Sequence, residues 1–458
     1  MARSKKLIIL LVALLVMGAA TIAAIHGEER REEIRTSEQI LFETPSDSVD
    51  ALSWTYEGNT LAFHKDGAWQ YDEDAAFPVS KEKITSLLKQ FEAFGVSFVI
   101  EHVEDYAQYG LDDSICTIRL SAGDQSYQLQ LGDFSSMDAK RYVSIGDGNV
   151  YLVKKDPLEE FDATLKDLID NDETPRPEHA ERIQFEGAEA YEIRYEEDSP
   201  DAYSDEDVYF TQHNGANRPL DASLVSGYLQ TLGGLSLTEY VSYNATEEEI
   251  KDCGLDAPDL SITLNYKDED NAENTFTLHI SRDPAETAED DVAKAYARAG
   301  DSPILYEIPA ETYNELMRCA YDDLRHLSVF WSDFSTVTQV DVTLEGSDYT
   351  LTTEGEGDSR KYLYQGEETS ISAFQSALEA LGATGFTSEA PAQQEEIRLT
   401  LHTEDENHPQ REIALYRYDG TRCLAVVDGE TEFFVERAAA VDLIEVVHAI
   451  VLAQDMEQ

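Results

Sequence analysis

Positive charge is scarce in this chain. Its 458 residues carry 34 Lys and Arg against 93 Asp and Glu, a net charge of −59. That balance excludes nucleic acid as a partner, because phosphate binding needs Lys and Arg to displace condensed counterions. It reads as a solvated acidic surface, open to cationic partners or divalent ions. Cysteine is scarce too. Cys116, Cys253, Cys319 and Cys423 form no C-x-x-C, so neither a zinc site nor a thioredoxin-type pair is spelled. Buried free thiols are the favoured reading; an extracytoplasmic location would permit bridges, but spacing does not pair the four. Catalytic spellings are missing as well: there is no G-x-S-x-G, P-loop, dinucleotide fingerprint or H-E-x-x-H. The sequence therefore names no catalytic, cofactor-binding or metal residue, and no cofactor is expected. Disorder does not fit either, since 42% hydrophobic residues with 24 Tyr and 17 Phe suffice to build cores.

What is present begins at the N-terminus. Arg3, Lys5 and Lys6 precede an uninterrupted apolar run from Leu7 to Ile25. At 1.5 Å per residue such a run reaches about 28 Å, close to the thickness of a hydrocarbon core. Basic residues on its N-terminal side keep that end cytoplasmic and put the bulk outside. Ala23-Ala24-Ile25-His26 is a weak cleavage site, so an uncleaved anchor is favoured over a signal peptide. No cysteine follows the run, which excludes a lipoprotein anchor. The expected order is a cytoplasmic end (1–6), a transmembrane helix (7–25) and a juxtamembrane stalk (26–45).

Three copies of one module follow, at 46–172, 178–329 and, more divergent, 335–453. Tyr109-Gly110-Leu111-Asp112 and the strand Cys116 to Leu120 return as Cys253-Gly254-Leu255-Asp256 and Leu260 to Leu264; Gly110 to Gly254 and Leu120 to Leu264 share one offset of 144 residues. Each copy opens on a hairpin turning at Glu57-Gly58, Glu186-Gly187 or Glu345-Gly346, where Gly supplies positive φ. An aromatic third strand comes next, around Trp69 and Tyr71, Tyr209 and Phe210, and Tyr362 and Tyr364. Then comes a helix. Ser80 caps a stripe of Ile84, Leu87, Leu88, Phe91 and Phe94; Asp221 caps Val225, Tyr228, Leu229 and Leu232; the third stripe is Ile371, Phe374, Leu378 and Leu381. A four-stranded meander and a closing helix (157–169, 310–326, 438–452) complete each copy. Copy three lacks the pivot and runs through Ala390-Pro391 straight into its meander. Linkers fall at Thr174 to Pro177 and Trp331 to Ser335. Antiparallel sheet with grouped helices is an α+β class, here in a short solenoid-like array.

Trp69, Tyr71, Pro78, Val79, Ile84, Leu87 and Leu88 spell a W-x-Y, P-V, I-x-x-L-L pattern. With the Tyr109 to Asp112 pivot, Ile118 and Leu120, Tyr142 and Val143, and Val150 to Val153, this resembles the bacterial family known as domain of unknown function 4340. The resemblance covers the first module well, the second through Gly254, Leu255, Asp256 and Pro258, and the third loosely. It implies a membrane-anchored protein that accompanies ABC-type transport or gliding-type systems. It supplies no catalytic residues.

Ser80 to Lys83 and Ser86 to Lys89 spell S-x-x-K, but the S-D-N and K-T-G elements are absent, so they read as an N-cap and a helix face. Asp268-Glu269-Asp270 begins like a calcium loop, but Ala272 and Glu273 break the pattern; this loop and the acidic tract Glu196 to Asp207 read as loops with weak cation affinity. Trp54, Phe63, Trp69 and Tyr71 are candidates for a glycan- or protein-binding face, with sheet core the favoured alternative. In the pivot, Gly permits the bend, Leu plugs the core and Asp ties the turn. The expected function is a non-enzymatic extracytoplasmic binding or scaffold protein, its partners the membrane and an ABC-type transporter. The alternatives are a glycan- or peptide-binding array and an envelope enzyme with a site between modules.

Overall fold

A computed structural model of the chain describes residues 39–455 apart from 102, 287–290 and 356–358. The apolar run at 7–25 and most of the stalk lie outside the described residues. Within those described, no helix is long and apolar enough to cross a membrane. One compact unit ends at Asn171 and holds the first module; a second begins at Asp172 and holds the other two.

Each module is one antiparallel sheet of nine strands. Eight are common to all three. The opening strand (Ala51–Tyr56, Arg182–Glu186, Val337–Leu344) lies inside the sheet, third or fourth from one edge. On one side it pairs with its hairpin partner, and beyond that lies the aromatic third strand. On the other it pairs with the first meander strand (Cys116–Ala122, Leu260–Lys267, Glu395–Thr403), matching Trp54 to Ile118, Phe185 to Ile262 and Val342 to Leu399. Hairpin and meander thus share one continuous core, because alternate residues of both present their apolar sides to the same face.

The eighth strand corrects the sequence reading. The first helix spans only Lys81–Lys89; Phe94 opens a strand, Phe94–Ile100, that pairs with Val150–Val153. Phe91 and Phe94 are buried as the periodicity requires, but from a turn and a strand. The third module likewise inserts Ala383–Phe386 between its helix and Ala390-Pro391, paired with Glu430–Glu436. The ninth strand differs by module. In the first it is Gln39–Phe42, beside Phe94–Ile100; in the others it extends the opposite end as Ala216–Leu220 and Glu367–Thr369.

Local chemistry explains most elements. Ser80 Oγ accepts from Lys83 N, and Asp221 Oδ1 from Ser223 and Leu224 N, so both are N-caps. Ile84, Leu87 and Leu88, and Phe374 and Leu378, are the buried faces of their helices. Glu57-Gly58 and Glu345-Gly346 are two-residue turns with both φ values positive, 48° and 81°, then 52° and 80°. Gly187 departs from this pattern. Its hairpin closes at Phe185 and Tyr191 over a longer loop, and it is absent from the positive-φ set. A Cβ there would lie 2.7 Å from Asp259 O, so close approach accounts for the glycine instead. Two closing helices are also shorter than the periodicity predicts: they break into Leu158–Phe161 with Leu165–Leu168, and Ala310–Leu316 with Tyr321–Leu324. Only the third is continuous, Arg437–Asp455.

Candidate functional site

The pivots are structural, and they match in detail. Gly110 and Gly254 sit at φ 66° and 73°, and Leu111 and Leu255 are buried behind them. Leu111 N donates to Tyr106 O and Leu255 N to Ile250 O, the same five-residue step. The expected tie from Asp112 is not made: Asp112 and Asp256 are both exposed. In the second module the nearby Asp259 ties other elements together instead of the turn, its Oδ2 accepting from Arg282 N at 2.8 Å and Tyr313 Oη at 2.8 Å.

The other sequence candidates also find ordinary places. Trp54 and Trp69 are 2% and 7% exposed, and Trp54 meets Phe161 edge-on at 5.2 Å, so neither forms an open stacking face. Asp268 turns its carboxylate inward, accepting from the N–H groups of Asp270 and Ala272 and from Asn274 Nδ2. Its loop borders an open groove of about 990 Å³ with Arg176, His179, Tyr195 and Lys267. Linker residue Thr174 is pinned, donating to Gly233 O and Leu235 O. All four cysteines are buried and free.

A dense polar constellation lies between the second and third modules, and the sequence did not mark it. From the second module come Arg218 on Ala216–Leu220, Arg325 and His326 after Tyr321–Leu324, and Tyr203 and Asp207 from the acidic tract. From the third come Arg411 on Gln410–Arg417, Asp428 in a turn, and Glu430, Glu432 and Phe433 on Glu430–Glu436. Trp331, expected in a linker, closes the cleft from the connecting segment.

Asp207 has a different role from the weak cation affinity expected of its tract. Its side chain is fully buried, accepting from His326 Nε2 at 2.8 Å, Trp331 Nε1 at 3.1 Å and the N–H groups of Tyr203 and Ser204. Burial alone would raise this carboxyl; the hydrogen bonds and the His326 charge outweigh it and hold the group below the usual range. His326 stacks on Trp331 at 4.3 Å, and its Nδ1 faces Asp221 at 3.9 Å, so both ring nitrogens are directed at carboxylates.

Among the described residues two ion pairs cross the module boundary. Arg218 Nη2 bonds Glu430, and Arg325 Nη2 bonds Glu432 Oε2 at 2.5 Å. The Arg325 guanidinium also lies within 5.0 Å of the ring centres of Tyr321, Phe386 and Phe433. Glu432 is pushed up by burial, against the opposing pull of Arg325 and Arg218. Arg411, 2% exposed, lies 3.8 Å from the Tyr203 ring centre and 5.0 Å from that of Trp331, with Nε 2.8 Å from Asp428 Oδ2. Despite that ion pair, neither its Nε nor its Nη1 has a well-aligned hydrogen-bond partner among the described residues. The backbone adds Ala383 N to Leu327 O at 2.6 Å and Val329 N to Leu381 O at 3.0 Å.

The cleft left between these groups is about 70 Å³, room for a few waters or one small ion. Each arginine already faces a carboxylate, so the arrangement is that of a clamp joining two sheets. Nothing in the sequence could have found it, because the partners lie 107 and 212 positions apart.

No curated protein and no solved structure matches the chain. A family match does exist, over residues 69–208 and 211–400. The two segments start 142 residues apart (211 − 69), close to the repeat offset, and each runs from the third strand of one module into the next. The match therefore counts the same module in a shifted frame. Spanning well over half of the sequence, it shows that the chain belongs to the family described as domain of unknown function (DUF4340).

Proposed function

We propose that this chain is an N-terminally anchored, extracytoplasmic binding or scaffold protein that performs no covalent chemistry and works beside a membrane transport complex of the ABC type. The anchor reading rests on the apolar run Leu7 to Ile25 and the basic residues before it. The transporter association rests on family likeness alone. The observation that favours a scaffold is the clamp: Arg218–Glu430 and Arg325–Glu432 fasten two sheets together. A joint of that kind suits a protein that must hold its surfaces at a fixed spacing. Crosslinking in intact cells, followed by purification of the full chain in mild detergent, tests this. Enrichment of a transporter permease is the expected result; recovery of the chain with no other membrane protein overturns it.

A second reading, an envelope enzyme with its site between modules, draws on one specific observation. Asp207, buried behind the cleft's His326 and Trp331, is held down while Glu432, which lines the cleft, is pushed up, the divergence that separates an acid from a base. The small cleft and the prior engagement of both carboxyls favour the clamp. An envelope-polymer hydrolysis activity in the full chain, abolished by Glu432→Gln without loss of folding, would reverse that preference.

A further inference from the structure

One edge of the first sheet holds a small, locally basic patch. A groove of about 430 Å³ there is bordered by Ile40, Lys89, Gly95, Lys154 and Lys155, with Glu92 its one acid. The whole sequence has 34 basic residues to 93 acidic, so three lysines against one carboxylate reverse the balance locally. All three lysines are exposed. Lys155 pairs with Glu160 at 2.9 Å, while Lys89 and Lys154 are in no ion pair among the described residues.

Register places apolar groups beside Lys154. Ile40 pairs with Gly95, and Val96 with Val153, which sets Lys154 opposite Gly95. After the bulge Phe98 pairs with Leu152, two residues from Lys154 and so on its side of the sheet. A Cβ on Gly95 would lie 2.9 Å from Lys154 Cδ, so the lysine stem lies across this bare backbone toward Ile40. Ile40 in the groove is 38% exposed, and Phe98, farther along on the Lys154 side of the sheet, is 58% exposed, two large apolar side chains left in water.

The position of this face in the chain supplies the occupant. Gln39–Phe42 is the first strand described, and only the thirteen residues 26–38 separate it from the apolar run ending at Ile25. Fully extended, thirteen residues reach about 45 Å, so this edge stays within that distance of the bilayer. We propose that the face around Ile40, Lys89, Lys154 and Phe98 docks on the anionic lipid surface in which the chain is anchored. The lysines meet lipid phosphates and the two apolar side chains enter the headgroup boundary. This rests on the anchor reading above.

The test uses the full chain, reconstituted into vesicles of phosphatidylcholine with or without phosphatidylglycerol. Spin labels are placed at Phe98→Cys and, as a control on the opposite edge strand, at Ala68→Cys; the native thiols are buried. Relaxation by oxygen and by a water-soluble nickel chelate reports which phase each label occupies. The expected result is a several-fold shift of the 98 label toward lipid in phosphatidylglycerol vesicles, lost in Lys89→Glu/Lys154→Glu, with the 68 label staying in water. A 98 label as water-accessible as the 68 label overturns the docking surface. Shielding from both agents also overturns it, and assigns the face to protein. A chain that fails to float with the vesicles removes the anchor and this proposal together, whereas one that floats with its 98 label in water removes the docking alone.

Discussion

Arg325 Nη2 lies 2.5 Å from Glu432 Oε2, across the boundary between the second and third modules. Their side chains are only 11% and 19% exposed, and three aromatic rings surround the guanidinium. Such a pair gains little over a well-packed apolar substitute, but removing one partner strands the other charge.

Arg325→Ala should therefore cost about 3 kcal/mol. Urea denaturation of the full chain measures the loss, and hydrogen exchange locates it. The strands around Glu432 should lose protection while those around Trp54 keep theirs. Equal loss in both units would mean the pair is not a local clamp.

Asp207 and Glu432 should shape the acid side of the stability profile in opposite senses. The Asp207 carboxyl is held below its ordinary value of 3.8, so its stabilisation is complete above that value and fades as pH falls through the depressed one. Asp207→Asn should cost most at neutral pH, the deficit shrinking below about pH 4. Glu432 is raised above 4.5, so its contribution is complete below that value and fades as pH rises through the raised one. Glu432→Gln should remove that fading. Urea midpoints followed from acid to neutral pH check both signs.

Gly110→Ala should cost about 2 kcal/mol or more, since it combines a left-handed φ with a Cβ 2.6 Å from Asp133 Cγ and 2.9 Å from Asp133 N. Gly58→Ala has a φ of 81° and nothing within 4 Å, so it should cost only about 1 kcal/mol. Thermal unfolding of the two variants decides whether crowding adds to strain at the pivot. Equal costs would show that it does not.

The four thiols should be silent in the native protein. Burial pushes Cys116 and Cys423 up to about 12 and Cys319 up to about 11, and raises Cys253 as well. An aromatic disulfide reagent at pH 8 should modify none of them until denaturant is added, and then all four. Rapid reaction of any one in native buffer would mean that its strand opens locally.

The repeat, the alternating strands, the turns at Glu57-Gly58 and Glu345-Gly346, and the caps Ser80 and Asp221 were legible in the sequence. Each rests on residues within a few positions of one another, where side-chain period, positive φ and a capping oxygen act directly on the backbone. The strand at Phe94 was missed although Phe94, Val96, Phe98 and Ile100 alternate, because Phe94 also extends the helical spacing of Ile84, Leu87, Leu88 and Phe91. Tyr240–Ser242, its counterpart, has only three residues to declare itself. Joining hairpin and meander into one sheet needed Trp54 to find Ile118, and the clamp needed Arg218 to find Glu430 across 212 positions. An isolated arginine or glutamate carries no mark of its distant partner. Only the packing of one sheet against the next brings the two charges together and buries them.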